Sequence, residues 1–230
     1  MLPITLLPGL ASDAELWRDQ VSALSPLRPV RVSDVHTRFA TLPQMAAALL
    51  AESDGDLLLC GTSMGGMLAL EAVRQAPRRV KALALLASSA RPDTPELIRL
   101  RSDAIVLFEQ GRMREVLLAN VPFAFDPAHA AALTPAYLAM MDRAGAAQLI
   151  AQNRAIMARA DQRPLLPGIG CPTLVVVGES DLLTPPEHAQ EMATLIPGSR
   201  LETLRQCGHL LTWEQPEAVN ALLMDWLAGL

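Results

Sequence analysis

Short, almost wholly apolar runs alternate along the chain with longer stretches whose apolar residues recur every three or four positions. The runs are "PITLLPG", "PVRVSDV", "DLLLC", "VKALALLASSA", "CPTLVVVGESD" and "SRLETLRQCGH". A strand that is apolar at consecutive positions buries both of its faces, the condition met in a parallel sheet covered by helices on each side. Between the runs the helical period takes over. "DAELWRDQVSALS" spaces Leu16, Trp17, Val21 and Leu24 along one face, and "LPQMAAALLAES" opens with Pro43 in its first turn. "GGMLALEAVRQAP", "PPEHAQEMATLI" and "QPEAVNALLMDWLAGL" read the same way. The pattern predicts an α/β fold: a mostly parallel sheet flanked by helices.

One segment breaks the alternation. Residues 91–164 hold no convincing strand, are rich in Ala, Met and Arg, and read as several amphipathic helices with breaks near Gly111, Pro122, Pro127 and Pro135. The expected organisation is a core made of residues 1–90 and 165–230, interrupted after the fourth predicted strand by an all-helical insert at 91–164. No repeat or low-complexity tract is visible.

Composition narrows the function classes. A chain of 230 residues suffices for one sizeable hydrophobic core. Its net charge of −5 comes with scattered arginines and no basic stripe, so no nucleic-acid partner is expected. Cys60, Cys171 and Cys207 lack paired spacing and do not cluster with the histidines, which argues against a disulfide framework or a zinc site. The opening "MLPITLLPGL" has no basic n-region and is interrupted by prolines and a glycine, and no run approaches membrane-spanning length. A cytoplasmic protein with no membrane contact is the expectation.

The chemistry centres on "DLLLCGTSMGGMLALEA", where Ser63 stands among Gly61, Gly65 and Gly66 between a buried strand and an amphipathic helix. That strand–turn–helix setting is the one in which G-x-S-x-G exposes a serine hydroxyl at the carboxyl edge of a sheet. A plain glycine-rich turn packing a helix on a strand is the bland alternative. A serine needs a base, and the base an orienting acid. Asp181, after "TLVVVG", and His209, after "RLETLRQC", both follow strands at the sheet edge where active sites of open α/β sheets collect. Asp181 could instead cap the helix beginning near Pro185, and Glu179 and Asp93 are rival acids. His36, His129 and His188 do not end a strand in a glycine-marked turn.

With these residues the chain resembles the α/β-hydrolase superfamily over nearly its whole length. The resemblance is carried by "LLPGLASDAELW", "GTSMGG", "PTLVVVGESDLLTP" and "CGHLLTWEQPEAV". It implies a shortened form of an eight-stranded-type core with a helical cap at 91–164, Ser63 as nucleophile, His209 as base and Asp181 as its acid. It also implies an oxyanion hole made by the backbone N–H groups of Leu10 and Met64. Pro8-Gly9 stands where many relatives carry His-Gly, a departure that leaves those backbone donors untouched.

Small bacterial esterases share the outline, as do lactonases, C–C bond hydrolases and the menaquinone-pathway lyase. The resemblance therefore implies hydrolysis of a small carboxylic ester or related acyl compound, without metal or organic cofactor, by a monomer or homodimer. C–C or lactone hydrolysis, a proton-abstracting elimination, acyl transfer and ligand binding without turnover are the alternatives. In the insert, Phe108, Phe123, Phe125 and Tyr137 either line an apolar acyl pocket or simply hold the helices together. Of the arginines at 91, 99, 101, 112, 114, 143, 154, 159 and 163, one or two could receive a substrate carboxylate.

Overall fold

The computed structural model describes residues 2–230. Its sheet contains β1 (Ile4–Leu7), β2 (Val30–Val32), β3 (Leu57–Thr62), β4 (Val80–Leu86), β5 (Thr173–Gly178) and β6 (Arg200–Leu204). Every neighbouring pair is parallel and the order is β2-β1-β3-β4-β5-β6. All six apolar runs of the sequence form strands. The physical reason is visible in the packing, because successive residues point into two different hydrophobic clusters. Leu58, Cys60, Ala82, Ala84, Leu174 and Val176 enter one cluster, and Leu57, Leu59, Leu83, Leu85, Val175 and Val177 enter the other.

Helices follow the strands: α1 (Arg18–Leu24), α2 (Val35–Arg38), α3 (Leu42–Ala51) and α4 (Met64–Gln75). α3 and α4 cover the second cluster; α1 belongs to the first. Thr41 caps α3 by accepting the Gln44 N–H, with Pro43 in the first turn. "AELW" is a 3-10 turn, Ala14–Trp17, rather than the first turn of α1.

Between β4 and β5 lie α5 (Pro95–Glu109), α6 (Met113–Ala124) and α7 (Pro127–Met157), then a 3-10 turn, Arg163–Gly168. Gly111, at φ 76°, and Pro127 mark boundaries as expected. Pro122 and Pro135 do not: each is carried inside its helix. A helical proline loses one N–H donor and crowds the carbonyl four residues earlier, which these helices tolerate. The true interruption is Gly145, with φ 75° and ψ 166°, which divides α7 in two. The chain closes with α8 (Pro186–Leu195), α9 (Leu211–Glu214) and α10 (Pro216–Ala228). No helix among the described residues is long and apolar enough to cross a membrane.

The strand order sets the place of the site. From β1 the chain moves outward to β2, then returns past β1 to β3, so the sheet changes direction between β1 and β3. Open α/β sheets bind ligands in the crevice at such a reversal, beyond the carboxyl ends of the strands. Leu10 follows β1 and Ser63 follows β3, one on each side of it.

Candidate active site

β3 runs straight into Ser63, which sits at φ 52° and ψ −120°. Such a conformation costs a non-glycine residue about 1–3 kcal/mol and persists only where the surroundings over-determine it. Here they do. The Ser63 N–H donates to Leu86 C=O at 2.9 Å, and its C=O accepts from Gly66 N–H at 2.9 Å and Ser88 Oγ at 2.8 Å. Gly65 has no room for a side chain, since a Cβ there would lie 2.0 Å from the Leu7 carbonyl oxygen. The turn is therefore tight because α4 begins directly against the end of β1.

Ser63, His209 and Asp181 meet. His209 Nε2 lies 2.9 Å from Ser63 Oγ, and His209 Nδ1 lies 3.0 and 2.9 Å from the two Asp181 carboxylate oxygens. A carboxylate only accepts, so the ring proton of the neutral imidazole belongs on Nδ1 and Nε2 is left to accept from the serine. Asp181 is 1 % exposed. Burial pushes its carboxyl up, but the His209 charge and hydrogen bond, with bonds from the Thr184 N–H and hydroxyl, outweigh this and hold it below the usual 3.8. Thr184 donates through N to Oδ1 at 2.9 Å and through Oγ1 to Oδ2 at 2.8 Å.

The rival acids stand elsewhere. The Asp93 side chain, 2 % exposed, is held in an ion pair with Arg101 and Arg159, at 2.7 and 2.8 Å. Glu179 is exposed. His36 is buried with its Nε2 2.8 Å from the Ser12 carbonyl, and His129 Nε2 lies 3.2 Å from that of Gln206.

Across the crevice, neither the Leu10 N–H nor the Met64 N–H has a partner among the described residues. Met64 opens α4, so its N–H is one of the donors a helix start leaves free, at the positive end of the helix dipole. No cluster of three or more His, Cys, Asp or Glu residues able to hold a metal occurs among the described residues. Clefts of about 380 and 660 Å³ open at the amino ends of the strands, around Lys81 and Pro172, away from these groups.

The histidine loop is held by residues that sequence reasoning passed over. Glu214, 5 % exposed, accepts the N–H groups of Gly208 at 2.9 Å and Leu210 at 3.1 Å, on either side of His209. It also accepts the Asp126 N–H from the start of α7, at 2.8 Å. His209 donates its own N–H to Ala124 C=O at 3.0 Å. Asp126 in turn accepts from Ser180 Oγ at 2.6 Å, beside Asp181. Burial raises the Glu214 carboxyl above its ordinary pKa, against the pull of its three N–H donors. Glu214 lies within "CGHLLTWEQPEAV", but nothing in a sequence distinguishes a carboxylate that binds distant backbone from one that faces water.

Of the aromatic residues named in the insert, Phe108, Phe125 and Tyr137 are buried in the first cluster with Leu16, Ala87 and Leu211, and Phe123 is 50 % exposed. Phe125 and Tyr137 pack edge to face at 5.6 Å. All nine insert arginines have carboxylate partners.

A parallel sheet with a strained serine at its topological switch point defines the α/β-hydrolase class of architecture. The chain belongs to that family: the model described as "alpha/beta hydrolase fold" matches residues 3–216. The chain is 27 % identical to a pimeloyl-[acyl-carrier protein] methyl ester esterase of Aromatoleum aromaticum, with 98 % of each chain covered. Among solved structures it is similar to a thermophilic esterase from Thermogutta terrifontis, with TM-score 0.89, 28 % identity, and 100 % of this chain and 90 % of that one covered. It is also similar to the enol-lactonase of Burkholderia xenovorans LB400, with TM-score 0.88, 26 % identity, and coverage of 99 % and 91 %.

Proposed function

We propose that this protein is a serine esterase that hydrolyses a small carboxylic ester through an acyl-enzyme on Ser63. The observation that carries the reading is the unbroken line from Asp181 through His209 to Ser63, each contact between 2.9 and 3.0 Å. The esterase names of the relatives agree with it. His209 takes the Ser63 proton on Nε2 as Oγ attacks the ester carbonyl. Negative charge gathers on the carbonyl oxygen, where the N–H groups of Leu10 and Met64 receive it; each such donor contributes about 3 kcal/mol in a site shielded from water. Asp181 stabilises the imidazolium, which then protonates the departing alcohol. Water repeats the sequence on the acyl-enzyme and returns Ser63 to its starting state. The helices at 91–164 act as the cap that shapes the acyl pocket.

A fluorophosphonate probe and p-nitrophenyl butyrate test this together. The wild-type protein should be labelled at Ser63 and should release p-nitrophenol, and Ser63→Ala should do neither while keeping its melting temperature. Equal labelling of Ser63→Ala, or an unlabelled and inactive wild-type protein, sinks the proposal. A lactone is a cyclic ester and opens by the same steps, and the likeness to an enol-lactonase makes lactones the second class to assay.

A further inference from the structure

The loop that offers the Leu10 N–H is fixed from an unexpected direction. Gln152 lies on α7, beyond the interruption at Gly145, and is 1 % exposed. Its Oε1 accepts the Ala11 N–H at 2.6 Å, across 141 residues of sequence. Its Nε2 donates to the His36 carbonyl at 2.9 Å, so the amide has one orientation that satisfies both ends. His36 closes the circuit, its Nε2 lying 2.8 Å from the Ser12 carbonyl.

Ala11 needs this support. It holds φ 52°, a conformation that costs a side-chain-bearing residue and relaxes when nothing enforces it. Two further bonds lie within the loop: Ser12 Oγ donates to Leu10 C=O at 3.2 Å, and Ser12 N–H to Gly9 C=O at 3.3 Å. Gln152 grips the peptide unit that follows Leu10, and the direction of the Leu10 N–H depends on that unit staying where it is.

We infer that Gln152 is a positioning residue for the oxyanion hole: the helical insert, through this side chain, holds the Leu10 N–H on the reacting carbonyl oxygen. The inference rests on the acyl-enzyme reading above. It adds that the hole is shared between sheet and insert, so losing this one contact leaves the triad in place but half of the hole misdirected. Gln152 touches no reacting atom. Its contribution is to keep a donor within hydrogen-bond reach of a charge that exists only in the transition state, where small displacements are costly.

The test compares p-nitrophenyl butyrate with its thiono analogue, in which sulfur replaces the carbonyl oxygen. Sulfur is larger and a poorer hydrogen-bond acceptor, so an intact hole favours the oxygen ester and a damaged one loses that preference. Gln152→Met keeps the volume and removes both bonds. Its kcat on the oxygen ester should fall about 10- to 100-fold, with KM nearly unchanged, while the thionoester rate falls much less. The pH profile should keep its wild-type shape, because Ser63, His209 and Asp181 are not touched.

Gln152→Glu is the rescue: a buried glutamic acid, held protonated, presents the same acceptor and donor, and should return the oxygen-to-sulfur ratio towards wild type. It also decides the matter if Gln152→Met does not fold. Equal losses on both esters, an unchanged oxygen-ester rate in Gln152→Met, or a collapsed ratio in a folded Gln152→Glu overturns the inference while leaving the esterase standing. A wild-type protein that cleaves neither ester overturns the acyl-enzyme reading, and this one with it.

Discussion

Glu214 takes the backbone N–H of Asp126 at 2.8 Å, joining the segment after the histidine loop to the residue that caps the long insert helix. The same carboxylate holds the N–H groups of Gly208 and Leu210. Removing it strands three buried donors, each costing about 1–3 kcal/mol when left unpaired. Glu214→Ala should therefore lower the melting temperature by at least roughly 6–12 °C, the shift for the lower bound of about 3 kcal/mol, and reduce kcat, because His209 loses the brackets on both sides. Glu214→Gln keeps the shape and one acceptor oxygen, and should fall between alanine and wild type. Thermal melts and ester kinetics on the two variants check this; a wild-type melting temperature in Glu214→Ala would show that water replaces the carboxylate without loss.

Gly208 tests the same junction from the other side. A Cβ at this position would lie 2.6 Å from the Asp126 nitrogen and 2.7 Å from the Phe125 carbonyl carbon. Both obstacles are backbone and cannot rotate away. Gly208→Ala should push the insert off the histidine loop, at a cost of about 1–3 kcal/mol, and the His209 N–H bond to Ala124 should break. The measurable result is a lower melting temperature with faster amide exchange at His209. Unchanged exchange there would mean that the loop, and not the insert, gives way.

These two residues mark where sequence reading stops. The strands were legible because burial on both faces writes continuous apolar runs, and the glycines around Ser63 are legible because only they allow α4 to start against Leu7. Asp181 and His209 follow strands in the sequence itself, so their meeting at one sheet edge follows from topology. The insert is different. Pro122 and Pro135 looked like breaks, yet a proline costs a helix a single donor and some crowding, and helix packing absorbs it. Gly145, with no proline beside it, makes the real interruption. Glu214, Gln152 and Thr184 act on groups that sequence does not advertise, the backbone N–H and C=O of remote loops and an acid held by its own neighbours.

Asp181 gives a pH prediction with a definite sign. Folding lowers its pKa below 3.8, through the His209 and Thr184 interactions that overcome burial. Its ionised form therefore contributes stability that is complete above the unfolded value and is lost as pH falls through the lower folded value. Asp181→Asn imitates the protonated acid. The melting temperature of wild type should exceed that of Asp181→Asn at pH 7, and the gap should close as the pH drops below 3.8. At pH 7 the variant should lose about 10³- to 10⁴-fold in kcat. A gap that stays constant down to pH 3 would mean that the folded carboxyl is not the ionised partner of His209.

The insert arginines bear on the substrate. Each of the nine lies within 3.3 Å of a carboxylate. The one surplus of positive charge is at Asp93, which serves both Arg101 and Arg159. There Arg101 also donates to Asn153 Oδ1, and Arg159 to the carbonyls of Arg91 and Ile156, while the Arg159 Nε–H has no partner among the described residues but is buried away from any open surface. A substrate carboxylate would have to break one of these pairs or enter the pocket without a partner, and an unpaired charge in an apolar site costs well over 1.4 kcal/mol, the equivalent of a tenfold change. Neutral p-nitrophenyl esters should accordingly be cleaved at least about tenfold more efficiently than esters of the same length ending in a carboxylate. The comparison is a kcat/KM series across chain lengths with and without the terminal charge. A preference for the charged series would require an arginine to leave its partner on binding. Arg101, which is 27 % exposed against 5 % for Arg159 and has the more accessible head group, is then the first to replace with glutamine.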